Sequence, residues 1–271
     1  MIEFFNMFIS YGCVTRALLI GVLVAVCSSL LGVSLVLKRY SMIGDGLSHV
    51  GFGALAAAMA LNFAPLAVSL PVVLITAVFL LRLSENSKMK GDAAIALIST
   101  SALAIGVIII SMTRGMNSDI GNYMFGSILT IGKSDLVLSI LMSIIVLVLY
   151  VVYYNKIFAV TFDESFAKAT GIKTGYYNML LAILTASVIV VGMRIMGAML
   201  ISGLIIFPAL SSMCVFKSFK SVVVSSVIIS VISFIAGIII SVALDAPAGA
   251  SVIITNLLVY IIFYTVGKAK N

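Results

Sequence analysis

The sequence predicts an all-α, polytopic membrane protein, and three observations carry that prediction. Of 271 residues, 63% are hydrophobic and 9% are charged, against about 25% charged in soluble domains. Charge-free runs recur along the whole chain, most of them near the roughly 20 residues that cross a bilayer. Lysine and arginine fall mainly in alternate loops, as an alternating set of crossings requires.

The elements come in chain order. Uncharged runs cover 17–37, 46–81, 93–113, 136–155, 174–193, 195–216, 221–244 and 246–267. The second is long enough for two crossings, and Asn62 and Pro65 supply the break, because proline lacks a backbone donor and disfavours helix in the residue before it. Segments of 46–63 and 66–81 result, for nine candidates in one domain spanning 1–271. The N-terminus carries Glu3 and no basic residue before Arg16, so it lacks the positive region of a cleavable signal and the first segment is expected to be retained. Arg194 marks either a short outer turn or a break within one bent helix.

Orientation comes from the basic residues. With every segment crossing and the first entering from outside, 12 of the 16 lysines and arginines lie in cytoplasmic loops. Arg16, Arg114, Lys133 and Arg194 remain outside. That three-to-one bias is the positive-inside pattern. The net charge of +7 therefore reads as topology and contact with anionic lipid. No interleaved aromatic and basic pattern points to nucleic acid.

Several motifs are weaker than they look. Cys13, Cys27 and Cys214 have no C-x-x-C spacing and mostly sit in or beside apolar runs, so they imply neither a disulfide framework nor a thiolate zinc site. "GSILTIGKS", 126–134, imitates a phosphate loop, but five residues separate its glycines where the motif needs four. Nucleotide binding is not expected there, and the chain is not expected to hydrolyse ATP. The interval from Asp119 to Asp135 is too short to span and reads as a re-entrant or surface segment.

Two stretches carry chemistry. In "VTFDESFAKATGIKTG", 160–175, Thr161 and Glu164 have capping-box spacing and Gly171 stands where a helix ends left-handed, giving a short bounded helix. Phe162 and Phe166, four apart, would share an apolar face at the cytoplasmic surface. That face suits either a partner protein or the lipid headgroups.

The second stretch is "MIGDGLSHVGFGALAAAMAL", 42–61. It holds His49, the chain's single histidine, four residues after Asp45. Ionisable residues in membrane segments are costly and commonly line a polar pathway. Spacing of four puts both on one helical face with roots about 5–6 Å apart, so a carboxylate oxygen and an imidazole nitrogen could meet on one divalent ion, with zinc, manganese and iron(II) all accepting such ligands. Two ligands suit a conduit, which must release what it binds. The alternative is an Asp–His hydrogen bond that packs helices, and Gly44, Gly46, Ser48, Gly51 and Gly53 permit close approach in either case.

Taken together, "MIGDGLSHVGFGALA", "YMFGSILTI", "VTFDESFAKATGI", "GAMLISGLIIFPA" and "DAPAGASVII" resemble, in order and spacing, the integral membrane permeases of ATP-binding-cassette uptake systems for zinc, manganese and iron(II). The resemblance covers nearly the whole chain. It implies about eight spanning helices, eight to nine with the count above, plus a short cytoplasmic coupling helix near 161–171. It implies a metal-pathway role for Asp45 and His49, and ATPase coupling through Thr161, Phe162, Asp163, Glu164, Phe166, Ala167 and Gly171. Implied partners are cytoplasmic ATP-binding subunits, an extracytoplasmic metal-binding protein and a second copy of the chain, in a bacterial cytoplasmic membrane. No cofactor is bound permanently; the transported Zn2+ or Mn2+ is cargo. The "DAPAGASVII" turn with Asp245 is most similar to zinc-handling members. Where members often carry a proline a few residues past the histidine, this chain has Gly51, Phe52 and Gly53. The alternative function is a self-sufficient ion-coupled transporter or channel.

Overall fold

The computed structural model describes residues 12–86, 91–113 and 133–270, and all regular structure within them is helical. The first helices are α1 (Gly12–Leu37), α2 (Ile43–Ala60), α3 (Pro65–Asn86), α4 (Gly91–Met112) and α5 (Lys133–Val152). After them come α6 (Tyr154–Phe162), α7 (Glu164–Ala169), α8 (Thr174–Met196), α9 (Ala198–Val215), α10 (Phe219–Leu244) and α11 (Ala248–Lys270). Each of the nine apolar segments corresponds to one long helix. The phosphate-loop lookalike and the proposed re-entrant segment lie outside the described residues except for Lys133, Ser134 and Asp135, which open α5.

Seven of the described helices are long and apolar enough to cross a bilayer, or eight when α5 and α6, bent by 71° at their junction, count as one span. The run 136–155 carries no sign of that bend, because it stays apolar past the junction at Tyr153. α2 is not among the seven. Asp45, His49 and four glycines within its 18 residues lower its hydropathy, yet most of it is buried, packed mainly against α4 and α3.

Helix ends obey local chemistry. Asn62 takes a left-handed conformation after α2 (φ 56°), and Pro65 opens α3, so the expected break holds. α1 ends in a Schellman turn: the Tyr40 N–H donates to Leu35 O at 2.8 Å and the Arg39 N–H to Val36 O at 3.0 Å. Arg39 occupies the left-handed position (φ 61°), where a residue with a Cβ costs about 1–2 kcal/mol. Gly197 (φ 87°) separates α8 from α9. The chain folds back there, since a Cβ on Gly192 would strike the Ile201 side chain. Arg194 thus precedes a turn between two helices.

Helices α1 and α8 form the centre, each with 72% of its span window buried, against 28% for α3, α4 and α11. The chain approaches itself closely where side chains are smallest. A Cβ on Gly32 of α1 would overlap the backbone of Ile205 in α9, and one on Gly53 of α2 would lie 2.7 Å from Ala102 O in α4. α2 therefore runs unbroken through Gly51–Gly53, where the glycine lets α4 lie against it.

A polar cluster joins the helix ends assigned to the cytoplasm. Lys38 at the end of α1, Glu164 opening α7 and Asn178 in α8 meet there. Phe158 of α6 stacks on Phe219 of α10 with ring centroids 4.9 Å apart. These are the loops that the lysine and arginine bias placed on one side.

Candidate functional site: an acid and a histidine inside the bundle

Depth can be read from packing. On α1, Gly21 lies against Met196 and Gly32 against Ile205. Ser202 sits between those two levels on α9, and its Oγ reaches Asp45 Oδ1 at 3.4 Å. Asp45 therefore lies within the stretch of α1 from Gly21 to Gly32, well inside a helix that runs from Gly12 to Leu37. α2 itself starts inside the bundle, because Gly44 also packs on Ile205.

His49 is one turn further along α2, and its Nε2 lies 3.5 Å from Asp45 Oδ2. Both side chains are partly exposed, 42% for Asp45 and 23% for His49, to a cavity of about 190 Å³ that they line with Phe52, Leu103, Ala198 and Met199. Carboxylate and imidazole thus share one helical face and converge, as a spacing of four residues requires. Ser48, on the other side, is buried and returns its hydroxyl to Asp45 O at 2.8 Å. Among the described residues no third His, Cys, Asp or Glu joins the pair, so one chain offers a divalent ion one oxygen-donor group and one ring nitrogen.

Ser202 was not found by sequence reasoning. Its hydroxyl lies 3.3 Å from Ala198 O as well as near Asp45, so it can orient the carboxylate from across a helix interface. Ala198 and Ser202 are four apart in "GAMLISGLIIFPA", which was the available signal. Many other serines in apolar helices share that pattern.

The cytoplasmic helix differs from expectation in its start. α6 runs through Thr161 and ends at Phe162; Asp163 is extended (φ −147°, ψ 100°), and its carboxylate accepts the Phe166 N–H at 2.9 Å. Asp163, not Thr161, is the cap. Thr161 is buried at the end of α6 with its hydroxyl unpaired, which removes it from the cap position. Phe162 and Phe166 consequently belong to different helices rather than one face, yet both are exposed, at 72% and 65%. Ala167 is buried beneath α7, and Gly171 has the left-handed backbone expected of it (φ 83°).

Glu164 anchors α7. Burial pulls its carboxyl upward, but hydrogen bonds from Lys168 and Asn178 and the charge of Lys38 outweigh it and hold it below the usual carboxylate range. The contacts are 3.1 Å to Lys168 and 3.3 Å to Lys38.

Comparison with known proteins gives a consistent result. The chain is 30% identical over 246 residues to the high-affinity zinc uptake system membrane protein ZnuB of Haemophilus influenzae, covering 91% of this chain and 94% of that one. It is 28% identical over 251 residues to the manganese transport system membrane protein MntC of Halalkalibacterium halodurans, covering 93% and 86%. Among solved structures it superposes on a chain of PsaBC from Streptococcus pneumoniae in complex with Fab, with a TM-score of 0.88, 26% identity and full coverage of both chains. The model of the ABC 3 transport family matches residues 10–267, and the chain, a multi-pass membrane protein, belongs to that family.

Proposed function

We infer that this chain is the permease subunit of an ATP-binding-cassette importer for divalent transition-metal ions, zinc first and manganese next. The observation that carries the reading is the convergence of Asp45 and His49 on a cavity inside the membrane bundle. A carboxylate oxygen and an imidazole nitrogen match the ligand preference of zinc and are accepted by manganese. Relatives named for zinc and for manganese uptake support both metals.

Among the described residues a single chain brings two ligand side chains together, so a homodimer with the pathway at its two-fold axis would bring four, the closed set that a bare zinc ion favours. Two cytoplasmic ATP-binding subunits would dock on the exposed Phe162 and Phe166 around α7, and an extracytoplasmic metal-binding protein would deliver the ion. Closure of the ATPases would then switch access across the dimer. The test is reconstitution. In proteoliposomes with its ATP-binding subunit and binding protein, the permease should support 65Zn uptake that stops when ATP is withheld. Alone it should neither hydrolyse ATP nor carry metal; uptake by the lone chain on a proton gradient would overturn the reading.

A further inference from the structure

The Lys38 side chain is 8% exposed, although it ends a helix at the cytoplasmic side. Its ammonium lies 2.6 Å from Asn178 Oδ1 and 3.3 Å from Glu164 Oε2, and the Asn178 amide nitrogen donates to that same carboxylate oxygen at 3.3 Å. Three elements far apart in sequence are thus closed into one ring: the end of α1, the first residue of α7 and the second turn of α8. Taking the Lys38 ammonium out of water is costly unless it is paired, and Glu164, itself 36% exposed and also paired with Lys168, supplies a counter-charge from the rim.

The backbone after Lys38 is short and fixed. Arg39 and Tyr40 close the Schellman turn on Val36 and Leu35, the Ile43 N–H donates to Tyr40 O at 3.0 Å, and the Gly46 N–H to Met42 O at 3.0 Å. From Lys38 to Gly46, five of nine backbone N–H groups, those of Lys38, Arg39, Tyr40, Ile43 and Gly46, are hydrogen-bonded to the backbone. Asp45 is the residue before the end of that stretch. Only residues 39–42 lie between Lys38 and the start of α2.

We propose that Lys38 is a positioning residue for transport, the tie through which movement of the α7 helix is passed to the helix bearing Asp45 and His49. This rests on the function inferred above. It adds that Lys38, which lines neither the cavity nor the exposed surface of Phe162 and Phe166, is required for coupling. The depressed Glu164 carboxyl is consistent with a ring that stays charged at neutral pH.

The informative variant is K38M, because Glu164 is 36% exposed and keeps Lys168 and Asn178 as partners, so no buried carboxylate is left unpaired. Measured in the full permease–ATPase–binding-protein complex, K38M should co-purify with its ATPase and keep basal ATP hydrolysis within about twofold, while zinc carried per ATP hydrolysed falls at least tenfold. A purely structural ring would lower yield or melting temperature and leave that ratio unchanged, which would overturn the proposal. Loss of the ATPase from the complex would overturn it too, by making the Lys38 turn part of the docking surface. Failure of the unmodified complex to take up zinc with ATP is a separate result that strikes the functional reading itself.

Discussion

Replacing Ser202 with alanine tests whether the cavity is a metal site built from more than its two ligands. The serine hydroxyl stands 3.4 Å from Asp45 Oδ1 and 3.3 Å from Ala198 O, so its single proton is divided between two acceptors. A hydrogen bond to a charged group is worth about 1.5–3 kcal/mol; a long, shared one is expected near 1 kcal/mol, about fivefold in an equilibrium constant. Outer partners of metal ligands cost about 10–100-fold when removed, which sets the ceiling. The expected result is a five- to tenfold rise in the zinc concentration giving half-maximal uptake, with the maximal rate changed less than twofold. Alanine is the better helix former and the site is buried at 9% exposure, so the melting temperature should hold. Radiometal uptake in proteoliposomes across a zinc series gives both parameters. An unchanged half-saturating concentration would show that Asp45 is oriented without Ser202, and that the contact belongs to helix packing.

Three further outcomes are expected. Asp45→Asn and His49→Gln should each cut uptake at least tenfold while leaving detergent melting unchanged or raised, because a pathway pair is held at some cost to stability; retained uptake with lowered melting would make it a packing pair. Phe166→Asp puts a charge where an apolar contact is expected, at a cost on the order of several kcal/mol if it is buried unpaired, and should abolish ATPase co-purification with the permease still folded; normal co-purification would place this face in the headgroups. The Glu164 carboxyl is held below its ordinary 4.5, so its contribution to holding α7 is complete above that value and is lost as pH falls through the lowered one. Amide exchange in 164–169, corrected for intrinsic rate, should quicken over that acid range in the wild type and show no such transition in Glu164→Gln.

The crossings were legible because each apolar run is bounded by charge, as at Arg194, or by Asn62 with Pro65. The bend between α5 and α6 was not, since neither proline nor glycine stands at Tyr153 and apolarity continues through it. The start of α7 shows a different limit. Thr161 and Asp163 are both good caps, two residues apart, and choosing between them requires knowing that Thr161 is buried on the preceding helix. The fold also separates Phe162 and Phe166 into two helices while leaving both exposed, so the apolar surface survives the loss of the spacing that suggested it.

The site divides along the same line. Asp45 and His49 stand out because ionisable groups are rare in an apolar chain, and rarity needs no structure to be seen. Ser202 is one serine among many: Ser211, Ser212, Ser226 and Ser230 also lie buried in long helices, and only the depth at which α9 crosses α2 selects it. Lys38 was legible as a charge that fixes topology, yet its partner Glu164 lies 126 residues away, beyond any local pattern. The same lysine therefore answers two different questions. Its place in the sequence says which side of the membrane the α1–α2 turn faces, and its burial against Glu164 and Asn178 says that this turn is fastened to the helix on which an ATPase would act. Since α2 begins inside the bundle and carries the acid and the histidine within its first two turns, the fastening and the candidate ion site share one short, hydrogen-bonded piece of backbone.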